Sequence, residues 1–146
     1  MPRDPRLEDG VNQAPEADDQ SVQDFLDGLA AALTQGDGRA VAEMWETPAF
    51  VLGDDMAKVV SDPDEIAAFF GGARQQYQQI GIINTRAEIV RLDEITDRMV
   101  MVRVRWPYLD AYGREMGAET STYTLVRGKD EWRLRIAVMH GKEAMN

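Results

Sequence analysis

The sequence predicts an α+β fold in which helices come first and pack on one face of an antiparallel sheet. Three observations carry this. Apolar residues recur at helical spacing in three stretches between Ser21 and Ile80, the period changes to two from Ile82 onward, and short connections rich in Asp and Gly separate the two-period segments. Helices followed by a hairpin meander is the element order of this class. At 146 residues the chain has the size of one ordinary domain, long enough to bury a core without disulfides or a structural metal.

Residues 1–20 are rich in Pro, Asp and Glu, with Leu7 and Val11 the only large apolar side chains after Met1. Such a segment cannot offset the entropy of being ordered, so it is expected to be a flexible tail, with the folded domain spanning residues 21–146. Ser21 reads as an N-cap with Asp24 in the first turn. Phe25, Leu26, Leu29, Ala32 and Leu33 then form one stripe until Gly36 supplies the stop. Asp37 caps a second, shorter helix with Val41, Met44 and Trp45 as its stripe, and Pro48 bars its continuation. "AFVLGDDMAKVV" reads as extended pieces around a Gly-Asp-Asp turn. Ser61-Asp62-Pro63-Asp64-Glu65 then provides a cap, a proline at the first helical position and acidic first-turn residues. The third helix carries Ile66, Phe69, Phe70, Ala73, Tyr77 and Ile80 on one side and runs through Gly71-Gly72, where close packing or a kink is expected.

Four strands follow, at about Ile83–Asp93, Arg98–Leu109, Met116–Arg127 and Glu131–His140, joined by "EITD", "DAYGRE" and "GKD". Alternation puts Val100, Val102, Val104, Trp106 and Tyr108 on one face of the second strand, opposite Arg103 and Arg105. On the last strand it puts Trp132, Leu134, Ile136, Val138 and His140 on one face, opposite Arg133 and Arg135. Hairpin loops of common length then predict four inward rows: Val100 with Leu125 and Leu134, Val102 with Tyr123 and Ile136, Val104 with Ser121 and Val138, and Trp106 with Glu119 and His140. A slip of one residue would turn Glu119 outward and Thr120 inward; the stated register buries Leu125 and Tyr123 instead of threonines.

Composition narrows the function classes. The formal net charge of −10, with acidic residues scattered, disfavours nucleic acid and anionic membrane, because each phosphate contact needs a basic group. There is no signal-type apolar run at the start and none near the ~18 residues of a membrane span, so a soluble, cytoplasmic protein is expected. No cysteine and one histidine leave no thiolate nucleophile and little to hold a metal, and no calcium-loop spacing, glycine-rich phosphate loop or G-x-S-x-G occurs. No cofactor is expected.

"LTQGDGRAVAEMW", "PAFVLGDD", "SDPDEIAAFF" and the finish "VRVRWPYLDAYGREMGAETSTYTLVRGKDEWRLRIAVMH" resemble the nuclear transport factor 2-like superfamily, in particular its SnoaL-like and ketosteroid-isomerase-like members, over about residues 21–141. The resemblance implies a cone: three N-terminal helices packed on a strongly curved, mostly antiparallel sheet, an apolar cavity at the open end, and homodimers formed through the outer sheet face. The isomerases' general-base aspartate position, carried over without gaps, falls on Gly53 with Asp54 beside it, and their oxyanion-hole tyrosine position on helix one falls on Leu29. The scaffold is implied; two groups of the steroid isomerase site are absent or displaced.

On such a scaffold the last inward row lines the mouth. Glu119, His140 and Asp54 are the candidate catalytic residues, with Asp55 as the other aspartate that could face inward. Trp45, Phe70, Tyr77, Trp106, Tyr108 and Tyr123 are the candidate ligand-binding residues. Each has a plainer reading: His140 as a solvated strand end, Trp106 as core, Asp54 and Asp55 as turn residues. A mostly apolar cavity with a few convergent polar groups suits a small hydrophobic molecule. Three classes remain open: a cofactor-free isomerase, cyclase, dehydratase or hydrolase, a ligand-holding protein without chemistry, and a dimeric interaction module.

Overall fold

The structure is a computed structural model that describes residues 14–143, with side chains described from Gln20 onward. Its elements are α1 (Ala14–Gln35), α2 (Gly38–Glu43), β1 (Trp45–Gly53), β2 (Met56–Val60), α3 (Pro63–Gln79), β3 (Glu88–Thr96), β4 (Met99–Leu109), β5 (Glu115–Arg127) and β6 (Trp132–Lys142). One six-stranded sheet runs in the order β2-β1-β6-β5-β4-β3, antiparallel throughout except where β1 lies parallel to β6. The fold is α+β, three helices on a curved, open sheet.

The first helix starts at Ala14, not at Ser21, so part of the expected tail is helical. Residues 1–13 of that segment lie outside the described residues. Ser21 is no cap; its Oγ accepts a hydrogen bond from Trp132 Nε1 at 2.9 Å and ties α1 to β6. Val22, Leu26, Leu29, Ala30 and Ala32 are buried against the sheet. The helix stops at Gly36, whose φ of +70° only glycine adopts cheaply.

Asp37 caps α2 by accepting from Ala40 N at 3.0 Å. Trp45, expected on this helix, opens β1 instead, because Met44 O already accepts the β6 amide of Leu134 at 2.8 Å and draws the chain into the sheet. Pro48 therefore sits within a strand, at the irregularity between Trp45 and Phe50 in the β1–β6 pairing, where a missing N–H is tolerated. Asp62 caps α3, accepting from Asp64 N at 2.9 Å, with Pro63 at the start. Gly71 and Gly72 lie in unbroken helix, and a Cβ on either would meet nothing within 4 Å. The expected close packing is present at Gly71 and is made by Gly38, where a Cβ would run into the Ala67 carbonyl oxygen and crowd the Gly71 backbone nitrogen; this seats α2 directly on the α3 backbone.

β3 begins at Glu88 rather than Ile83, since Asn84 pairs back to Leu109 as an isolated bridge. It continues through Thr96, leaving Asp97 and Arg98 as the turn.

Candidate functional site

The β4–β5 register is the one alternation predicts: Val100↔Leu125, Val102↔Tyr123, Val104↔Ser121 and Trp106↔Glu119. Glu119 thus lies on the concave side. β6 departs from it. Leu134 pairs with Leu125 and Ile136 with Thr124, so Arg135 is an extra residue; Met139 pairs with Ser121 and Gly141 with Thr120, so His140 is a second. These bulges turn Ala137 and Met139 inward and Ile136 and Val138 outward. The expected row of Trp106, Glu119 and His140 does not form: Lys142 stands opposite Glu119, and His140 is exposed with Nε2 2.7 Å from Thr122 Oγ1 on the outer face. Gly141, at φ +87°, supplies the backbone that lets the chain leave the bulge.

Between α3, the β1–β2 hairpin and the concave sheet face lies a hollow of about 480 Å³. Small-molecule sites fall in this size range. α3 packs chiefly on α2 and touches the sheet little, so its apolar side faces the hollow. Trp45, Phe70, Tyr77, Trp106, Tyr108 and Tyr123 all line it, and so does Glu119. Asp54 and Asp55 do not: they form the exposed turn beyond the Gly53↔Met56 pair. Lys58 was missed by sequence reasoning. It shares the inward face of β2 with Met56 and Val60, which alternation along that strand could have revealed, and its Nζ lies 3.1 Å from Glu65 Oε2 at the start of α3.

Polar groups gather at one end of the hollow. Tyr77 Oη donates to Glu119 Oε1 at 3.4 Å, a long hydrogen bond. The Tyr77 and Tyr108 rings lie 5.8 Å apart. Burial raises the Glu119 carboxyl above its ordinary value, with the Tyr77 hydrogen bond opposing the shift. Burial and the nearby Glu119 charge push both Tyr77 and Tyr108 up. Tyr108 is 8% exposed, and its hydroxyl lies by the Glu119 carboxyl, whose charged form it favours, without reaching good hydrogen-bond geometry. Tyr123, pushed up to about 12 by burial, accepts from Trp106 Nε1 at 2.9 Å. A carboxyl whose pKa is raised toward neutrality can accept or deliver a proton, and adjacent phenols can polarise an oxygen.

Two other charged clusters are structural. Arg105 holds Glu88 at 3.0 Å, Glu143 at 2.7 Å and Glu115, which pins β3, β5 and the end of β6 around β4 on the outer face. A smaller hollow of about 290 Å³ at the far end is lined by Asp97, Arg98, Arg127, Lys129 and Asp130. There Arg98 donates to Gly128 O at 2.5 Å and Arg127 to Asp97 O at 2.8 Å, locking neighbouring turns together. Among the described residues no group of three or more histidine or acidic side chains could hold a metal ion, and no helix is long and apolar enough to cross a membrane.

The chain matches no curated protein sequence. Among solved structures it is similar to an NTF-2 like protein of unknown function from Shewanella oneidensis, at 14% identity and TM-score 0.66, covering 85% of this chain and 99% of that one. It is also similar to a ketosteroid isomerase-like protein from Erwinia carotovora atroseptica, at 15% identity and TM-score 0.61, covering 86% and 96%. A putative scytalone dehydratase from Novosphingobium aromaticivorans is similar at 11% identity and TM-score 0.66, covering 88% and 86%. At such identities these likenesses concern the fold. The sequence itself matches a family model described as NTF2-like protein (DUF6841) over residues 16–142, and the chain belongs to that NTF2-like family.

Proposed function

We propose that the hollow binds a small apolar molecule bearing an oxygen function and that the protein performs cofactor-free proton transfer on it, as an isomerase, cyclase, dehydratase or hydrolase would. Glu119 is the proton carrier, and Tyr77 and Tyr108 hold the ligand's oxygen. The observation that carries this reading is a half-buried carboxyl set beside two tyrosines at one end of an otherwise largely apolar hollow. The isomerase-like and dehydratase-like names among the structural neighbours are consistent with it. His140 has no part in this chemistry, since it lies on the other face, and neither has Asp54 in its exposed turn.

The test needs no knowledge of the natural substrate. 2-Undecanone in D₂O should gain deuterium next to its carbonyl at least tenfold faster with the protein than in buffer, as a positioned base commonly gives ~10²–10⁴-fold. Glu119→Gln should remove the exchange while leaving binding of the ketone, read by tryptophan fluorescence, largely in place. Binding without exchange would reduce the protein to a ligand holder. Absence of binding would defeat the pocket reading itself.

We also propose a homodimer through the outer face. The row Asp93, Met101, Thr124, Ile136, Phe50 and Val59 crosses the whole sheet, with Phe50 39%, Val59 58% and Met101 41% exposed. A self-complementary face of this kind suits two-fold pairing. A sedimenting monomer at micromolar concentration and above would overturn it.

A further inference from the structure

The three tryptophans are not treated alike. Trp106 Nε1 donates to Tyr123 Oη at 2.9 Å and Trp132 Nε1 donates to Ser21 Oγ at 2.9 Å. Trp45 Nε1 is buried with no partner among the described residues. A buried indole N–H normally finds an acceptor, and leaving one unmade is unfavourable. The tyrosines divide in the same way: Tyr77 and Tyr123 are hydrogen-bonded, whereas the buried Tyr108 hydroxyl lies by Glu119 without a hydrogen bond of good geometry. Trp45 and Tyr108 both line the hollow, and among the described residues they alone have buried side-chain polar atoms that make no hydrogen bond of good geometry.

The two donors stand at opposite ends. Trp45 pairs with Leu134, in the row of Leu125 and Val100 at the closed end. Tyr108 lies beyond Trp106 and Glu119 at the other end; the Trp45 ring neighbours Phe70 and the Tyr108 ring neighbours Tyr77, and these two residues of α3 are separated by about 10 Å of helix at ~1.5 Å per residue. No single ligand oxygen can accept from both. The surroundings of Trp45 are apolar, with Phe70 at 6.4 Å between ring centroids and Leu29, Val51 and Ile66 lining the same space.

We infer that the hollow has two polar subsites and takes an elongated apolar molecule with an acceptor oxygen at each end, one received by Tyr108 beside Glu119 and the other by the indole N–H of Trp45. This rests on the reading that the hollow binds a small molecule. Trp45 is then a specificity residue: it touches no reacting atom but selects ligands whose distant end is oxygenated, because a ligand without that oxygen leaves the buried donor unmatched.

The experiment compares 2-undecanone with 2,10-undecanedione, flexible chains that differ by one terminal carbonyl. The second carbonyl is well hydrated, so a pocket with one donor end binds the dione more weakly than the monoketone. With the wild-type protein the dione should bind at least fivefold more tightly by calorimetry. In Trp45→Phe and in Tyr108→Phe the order should reverse, the dione becoming the weaker ligand. The indole ¹⁵N–¹H resonance of Trp45, assigned by its loss in Trp45→Phe, should move downfield on adding the dione. A wild-type protein that binds the monoketone as well as or better than the dione overturns the inference while leaving the pocket reading intact, and this arm needs no variant to fold. A preference for the dione that survives Trp45→Phe also overturns it. If neither ketone binds at millimolar concentration, the pocket reading falls and the inference with it.

Discussion

Helices α1 and α3 carry apolar stripes of the same period, yet one builds the core and the other does not. Val22 and Leu26 of α1 are 0% exposed, whereas on α3 only Ile66 is buried and Phe69 is 67% exposed. The stripe of α1 lies on the sheet; that of α3 hangs over the hollow, held by the contact of α2 at Gly38. Periodicity therefore reports which side of a helix is apolar and says nothing about what meets that side. A wall that serves a ligand and a face that serves the core have the same sequence signature.

The largest effect should separate the two helices directly. Leu26→Ala should lower unfolding stability by about 2–5 kcal/mol, the usual result of emptying a fully buried leucine site. Phe69→Ala should cost less than about 1 kcal/mol. Equal losses in denaturant unfolding would mean that α3 is core after all.

A smaller effect, with an informative sign, is expected at Glu119. Its folded pKa lies above the ordinary 4.5 because of burial. Between those values the folded protein holds a proton that the unfolded chain has released, so stability falls as pH rises through the window. Glu119→Gln should accordingly be more stable than the wild type at neutral pH, with the advantage fading once the pH drops below 4.5. An advantage that persists unchanged in acid would place its cause elsewhere.

Gly72→Ala comes next. Nothing lies within 4 Å of the added methyl, so the helix-propensity gain of roughly 1 kcal/mol should appear as a raised midpoint. A loss would reveal packing on that side of α3. The smallest effect belongs to Lys58→Met: its ion pair with Glu65 is 55% and 45% exposed, and stability should move by no more than about 0.5 kcal/mol.

Much of the fold was legible because its signals are local. The caps at Asp37 and Asp62, the stop at Gly36 and the inward set Val100 to Trp106 each follow from a few adjacent residues. The site was legible in part. Glu119 follows from one hairpin, whose loop length fixes its parity, but His140 needed parity to survive a whole strand; the bulge at Arg135 carries no composition signal, and Gly141 is the single cue to the one at His140. Trp45 was placed on a helix because its capture by β6 is a contact between residues distant in sequence. The unpartnered state of its indole could not be read from sequence at all, since it depends on what every neighbour does with its own hydrogen bonds.

The paired bulges of β6 act on the strand as two compensating frameshifts act on a message. Leu134 is read in one phase, Ala137 and Met139 in the other, and Lys142 in the first again. Removing Arg135 alone would iron out the first bulge and leave Ile136 opposite Thr124 with every later side chain on its present face, whereas removing a residue between the bulges would turn the rest of the strand over. Among relatives, single-residue gaps should therefore fall at these two points, each independently of the other, and a sequence with a gap between them should have rebuilt the wall beyond it.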